Sequence, residues 1–129
     1  MILKLDFASK VPLFMQIRNQ IVIAIADGSL KPGERLPTIR NLAEESGLNM
    51  MTISKAYQQL TQEGYLITDR RNGAMVANKE TAHAVDDALL ERMRLCISEL
   101  RLAGMSPEEI RNLCDQLYGE QPPTASHFS

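Results

Sequence analysis

Gly28-Ser29-Leu30-Lys31-Pro32-Gly33-Glu34-Arg35-Leu36-Pro37-Thr38-Ile39-Arg40 opens the decisive stretch of this chain, which runs on to Val76. Thr38 is placed as an N-cap, its hydroxyl free to accept an orphan backbone N–H. Ile39, Leu42 and Ala43 then follow at helical spacing and form a buried face. Gly47-Leu48-Asn49 makes a turn, with Asn49 positioned to cap a second helix running from Met50 to Glu63. On that helix Ile53, Ala56, Tyr57 and Leu60 repeat at i, i+3, i+4 and i+7, which sets the inner side. The outer side is then Met51, Ser54, Lys55, Gln58 and Gln62, with Met50 and Thr52 near the N-terminal end. Gly64 closes the helix. Leu66-Ile67-Thr68 and Ala74-Met75-Val76 are short β-type runs around Asn72-Gly73, a pair that accepts positive φ at both positions and is a strong hairpin signal.

Two short helices around a turn, followed by a hairpin carrying Arg70 and Arg71 at its tip, is the order of parts in a winged helix-turn-helix. Such a module lays its second helix in the major groove of DNA. Two cations on a hairpin tip make a poor core element and a good phosphate clamp.

Upstream, Phe7 to Val11 reads as an extended lead-in, and Val11-Pro12-Leu13 opens a helix, proline being tolerated in a first turn. Leu13, Ile17, Ile21, Ala24 and Ile25 share one face, which Val22 and Ile23 broaden, so the helix is expected to be heavily buried. Asp27-Gly28 ends it, Lys31-Pro32-Gly33 turns, and Glu34-Arg35-Leu36 has room for a stub of strand.

Downstream the character changes. One long helix is expected from about Glu80 to Ala103, with Val85, Leu89, Met93, Cys96, Leu100 and Ala103 stepping by three or four, and Leu90 and Ile97 widening the stripe. Gly104-Met105 breaks it. Ser106-Pro107-Glu108-Glu109 is a capping box for a further helix whose apolar side is Ile110, Leu113, Cys114 and Leu117. From Gly119 on, Pro122-Pro123 and the loss of apolar period point to a frayed tail. A helical hairpin this small has little interior of its own, so a twofold dimer through its stripes is the expected cover. The resulting division is residues 1–78 for DNA binding, 79–118 for dimerisation and 119–129 as tail.

The 129 residues carry a net charge of −2, which taken alone argues against nucleic acid. Its distribution reverses that reading. Residues 1–79 hold ten Lys and Arg against seven Asp and Glu, a local +3, while residues 80–129 hold four against nine, a local −5. A basic half joined to an acidic half suits a DNA reader with a partner-facing appendage. No apolar run nears the roughly 18 residues that span a bilayer, and Met1-Ile2-Leu3-Lys4-Leu5-Asp6 lacks the order of a signal peptide, so a cytoplasmic protein with no membrane contact is expected. His83 and His127 stand apart from any metal-ligand spacing, Asp86-Asp87 with Glu91 reads as a solvated face, and no nucleophile, base and orienting group are arrayed as in enzymes. Neither metal, cofactor nor catalysis is expected. Cys96 and Cys114 lie equally far from the Gly104-Met105 turn on apolar stripes, and buried reduced thiols are expected there.

Pro12-Leu13-Phe14-Met15-Gln16-Ile17, the Gly28–Thr38 run, Ile39-Arg40-Asn41-Leu42-Ala43, Ala56-Tyr57-Gln58-Gln59-Leu60, Glu63-Gly64 and the closing hairpin resemble the GntR family of bacterial transcription regulators over roughly residues 10–77. The short helical remainder, with Lys55-Ala56-Tyr57 in the reading helix, is similar to the YtrA-type subfamily. That resemblance implies a homodimer on double-stranded DNA, a two-helix dimerisation tail, and repression of a transporter operon. It also implies that Arg40 touches backbone or base, that Thr38 caps its helix beside a phosphate, and that Gly73 lets the wing enter the minor groove. Many relatives carry arginine at the second position of the reading helix and one turn later, where this chain has Met50-Met51 and Ser54. Guanine readout by those arginines is therefore absent, and Lys55, Gln58 or Asn49 would supply polar readout. Met51 would meet a thymine methyl, although Met50 and Met51 read first as half-buried packing.

The expected DNA-facing set is Thr38, Arg40, Asn49, Met51, Thr52, Ser54, Lys55, Gln58, Arg70, Arg71, Asn72 and Gly73. The expected dimer set is Val85, Leu89, Met93, Cys96, Leu100, Ile110, Leu113 and Leu117. Two other readings stay open: a sensor whose small-molecule effector occupies a pocket between the domains, and an interaction module that has lost DNA binding.

Overall fold

The structure is a computed structural model that describes residues 3–78 and 85–119. The expected start of the long helix at Glu80, the two histidines His83 and His127, and the tail from residue 120 lie outside the described residues. The described residues form α1 (Leu13–Ala26), α2 (Ile39–Ser46), α3 (Met50–Gln62), β1 (Leu66–Asp69), β2 (Gly73–Val76), α4 (Asp87–Leu102) and α5 (Pro107–Gly119). They fall into two compact units, one within Met1–Ala82 and one within His83–Gln121. The first is helices with a small hairpin, the second helices alone. The fold is a mainly α winged helix-turn-helix with a helical appendage.

The core of the first unit is where the apolar periods meet. Ile17, Ile21 and Ala24 of α1, Leu42 of α2, and Ile53, Ala56, Tyr57 and Leu60 of α3 are buried together with Leu30, Leu36, Leu66, Ala74 and Val76. Ile23 is exposed, so the face of α1 is narrower than its run of apolar residues implies. One side of a helix is enough to cover two neighbours. Pro12 serves as the N-cap of α1 rather than its first helical residue. The segment before it is no free extended lead-in. Gln16 donates from Nε2 to the carbonyls of Asp6 and Val11 at 2.9 and 2.8 Å while its Oε1 accepts the Asp6 N–H at 2.9 Å, strapping residues 4–11 to α1 together with Gln20.

A salt bridge ties α1 to the end of α3. Arg18 donates from Nε and Nη2 to the two carboxylate oxygens of Glu63 at 2.9 and 2.6 Å, a forked pairing that holds the guanidinium pKa up. The α2–α3 turn is built as its sequence implies. Thr38 accepts the Asn41 N–H at 3.0 Å, Gly47 takes φ +73 at the C-terminus of α2, and Asn49 accepts the Met51 N–H at 2.7 Å. The Tyr57 hydroxyl, its pKa raised by burial, donates to the Pro37 carbonyl at 2.8 Å and so pins the entry to α2 against α3.

The hairpin corrects one expectation, that Asn72 and Gly73 both take positive φ. Asp69 pairs with Gly73, so Arg70-Arg71-Asn72 form a three-residue loop, and of the two turn residues only Gly73 has positive φ, at +68. The Asp69 carboxylate explains the change: it accepts both the backbone N–H of Asn72 and, at 3.1 Å, its Nδ2, and these donors hold its pKa low. Stabilised this way, Asn72 stays at negative φ and glycine alone enters the left-handed region. Residues 33–36 flank β2 as a further rung, with Gly33 N–H to Val76 and Leu36 N–H to Ala74 both at 2.8 Å. From that rung Arg35 reaches across to donate to Asn72 Oδ1 at 3.0 Å.

In the second unit α4 begins only at Asp87, which corrects the expected helix through Val85: Asp86 is the N-cap, accepting the Leu89 N–H at 2.8 Å, and Val85 lies ahead of the helix. Asp86 is thus a cap rather than part of a plain solvated face. The capping box forms in full: Ser106 Oγ accepts the Glu109 N–H at 3.1 Å and Glu109 accepts the Ser106 N–H at 3.0 Å.

Two outcomes follow from this packing. Leu60→Ala, at a fully buried position, should lower unfolding free energy by about 2–5 kcal/mol in urea titrations, with an unchanged m-value. Asp69→Ala should speed amide hydrogen exchange at Asn72 by NMR while exchange at Leu60 stays as it was.

Candidate nucleic-acid interface

Burying Ile53, Ala56, Tyr57 and Leu60 leaves a defined outer strip on α3: Met51, Lys55, Gln58 and Gln62 are exposed, and Thr52 and Ser54 half-buried. Between this helix, the start of α2 and the hairpin runs an open groove of about 600 Å³. Its walls bring together Thr38, Ser54, Gln58 and Gly73 of the expected set. Thr61 and Thr68 add hydroxyls that sequence reading missed. Hydroxyls and an amide on a concave surface suit acceptor-rich oxygens, and a phosphodiester strand is such a ligand.

The cations of the first unit divide into two kinds. Arg18 is held by Glu63 within the fold. Arg40, Arg70 and Arg71 are exposed and form no ion pair with any other described residue. A guanidinium without an internal carboxylate keeps its full donor set for an external anion. Lys55 is exposed, and its ammonium rests over the Phe14 ring, 4.2 Å from the centroid, which steers it toward α1.

Asn49 and Asn72 have structural duties. The Asn49 side-chain oxygen is taken by the N-cap bond, and the Asn72 amide oxygen and nitrogen are both engaged, with Arg35 and Asp69. Arg35 and Asp69 therefore belong to the wing although neither was foreseen. A local signal existed for Asp69, which stands three residues before Asn72, the spacing at which an aspartate caps a backbone N–H. None existed for Arg35, whose partner lies 37 positions away. Met51, expected to be half-buried, is 79% exposed, and Met50 is 48% exposed.

In the helical unit Val85, Leu89, Met93 and Leu117 are exposed, Leu100 and Leu113 half-buried, and Ile110 buried. α4 buries none of its residues. Cys96 and Cys114 are free and exposed, correcting the expectation of buried thiols: two helices alone cannot cover both stripes. Among the described residues no helix is long and apolar enough to cross a membrane.

Residues 13–76 match the family of bacterial regulatory proteins called the gntR family. The HTH-type transcriptional repressor YtrA of Bacillus subtilis (strain 168) is 30% identical over 111 residues, covering 84% of this chain and 85% of that protein. A transcriptional antiterminator from Listeria monocytogenes EGD-e has a similar structure, with a TM-score of 0.81 and 30% identity over 91% of this chain and 90% of its own. AraR(DBD), solved in complex with operator ORX1, matches 60% of this chain and 99% of its own at a TM-score of 0.53 and 27% identity. The fold, the relatives and the operator-bound neighbour agree: this chain belongs to the gntR family of bacterial regulatory proteins, and is a YtrA-like, DNA-binding transcription regulator rather than an enzyme.

Proposed function

We propose that this regulator is a homodimeric repressor that occupies a pseudo-palindromic operator. In this reading α3 enters the major groove, the wing at Arg70–Gly73 enters the adjacent minor groove, and the strand between them passes along the groove lined by Thr38, Ser54 and Gln58. The supporting observation is the set of guanidiniums with no ion-pair partner among the described residues, Arg40, Arg70 and Arg71, on the unit that carries this groove. Asn49 and Asn72 act as positioning residues, one for α3 and one for the wing, and Thr52 flanks the reading strip.

Residues 1–78 serve as the reading domain and residues 79–118 as the dimerisation hairpin. Support comes from the exposed apolar residues Val85, Leu89, Met93 and Leu117, and the exposed Cys96, on a unit too small to cover them. A twofold partner supplies the missing cover and places two copies of α3 at the spacing of paired half-sites. Repression of a transporter operon is the role implied by the resemblance to YtrA-type regulators.

Fluorescence anisotropy with duplexes tiling the promoter of its own operon tests the reading, and absence of salt-sensitive binding to all of them overturns it. Arg40→Ala should weaken binding to all duplexes by a similar factor and flatten the slope of log affinity against log salt by about one unit. Leu89→Asp combined with Met93→Asp should give a monomer by analytical ultracentrifugation. The same variant should lose operator affinity while its first unit unfolds at an unchanged temperature.

A further inference from the structure

The first turn of α3 presents methionines where a groove-reading helix has its closest approach to bases. Met51 is 79% exposed and Met50 48% exposed, so neither belongs to the core. Met51 shares its strip with Lys55 and Gln58, four and seven residues on, and therefore lies on the outer side of α3. The polar side chains at this tip are Asn49, whose oxygen is held by the Met51 N–H at 2.7 Å, and Thr52, which is half-buried. The most exposed side chain of the first turn is thus the apolar Met51, with Met50 beside it, and neither thioether chain carries a strong donor.

Only one feature of the major groove is apolar: the C5-methyl of thymine. A guanine under the same tip would lose water from its N7 and O6 acceptors without gaining a donor, and an unmethylated cytosine would offer no methyl to bury. We propose that Met51, flanked by Met50, is a specificity-determining residue that reads 5-methylpyrimidine, setting A·T pairs at the operator positions beneath the first turn of α3. The inference rests on the major-groove placement of α3 proposed above. A long unbranched thioether can follow the methyl across small changes of docking angle, so the contact selects the base without fixing the helix.

The test uses the full chain and a duplex that it selects itself from a randomised pool. Each thymine is replaced in turn by deoxyuridine, which removes the methyl and leaves the hydrogen-bonding edges intact. At one or two positions per half-site the wild type should lose about fourfold in affinity per methyl. Met51→Ala should bind more weakly to the thymine duplex, keep the wild-type unfolding temperature, and show no further loss with deoxyuridine. Met51→Leu should restore most of the methyl dependence. A C·G pair placed at the same position should gain affinity when its cytosine is converted to 5-methylcytosine. If the selected duplex binds tightly yet deoxyuridine equals thymine at every position, or if the uridine loss is the same in Met51→Ala, methyl readout by Met51 is wrong and the DNA-binding reading stands. If the chain enriches no duplex at all, the proposed operator reading fails, and the inference with it.

Discussion

Burial of Ile53, Ala56, Tyr57 and Leu60 is the constraint on which the rest of the first unit depends. Once those four side chains are committed to the core, a helix has no freedom left about its own axis, and Met51, Lys55, Gln58 and Gln62 must face outward. Two polar contacts make the commitment geometric as well as hydrophobic. The Tyr57–Pro37 bond fixes how far α2's entry stands from α3, and the Arg18–Glu63 pair holds the far end of α3 to α1. A helix anchored at its middle and at its C-terminal end presents a rigid N-terminal tip, which is the part that a groove-reading element uses.

The hairpin is held by a different kind of force. Its strands are four residues each, and Thr68, Asp69, Arg70 and Arg71 are exposed, so apolar burial contributes little beyond Leu66, Ala74 and Val76. Order at the tip comes instead from the chain of polar contacts running from Arg35 through Asn72 to Asp69. Those contacts take up the polar groups of Asn72 and leave Arg70 and Arg71 without ion-pair partners among the described residues. The loop therefore separates its labour: an amide and a carboxylate shape it, and two guanidiniums remain for an anion outside the fold.

The helical unit shows the opposite balance. Its helix ends are well made, with Asp86 capping α4 and the Ser106–Glu109 box capping α5. Its apolar residues are largely uncovered, from Val85 just ahead of α4 and Leu89 within it to Leu117 of α5. Local hydrogen bonds can define where a helix starts without supplying an interior. Exposed leucines on a capped, regular helix leave apolar surface in water that the unit itself does not cover.

Much of this was determined by the sequence itself, because the signals are local. The caps at Thr38, Asn49 and Ser106, the turn at Gly47 and the apolar periods of α1, α3 and α5 each involve residues within a turn or two of one another. What needed the tertiary structure were relations that no spacing encodes. Arg35 meets Asn72 across 37 positions; Asp69 holds Asn72 at negative φ and makes the hairpin loop three residues long; Gln16 and Gln20 strap down the N-terminal segment; and Ile23 and Met51 lie outside a core that could have covered them. Periodicity says which side of a helix is apolar, but how wide a stripe is buried depends on how closely its neighbours approach. That distance is a property of the packed chain, set by side chains distant in sequence.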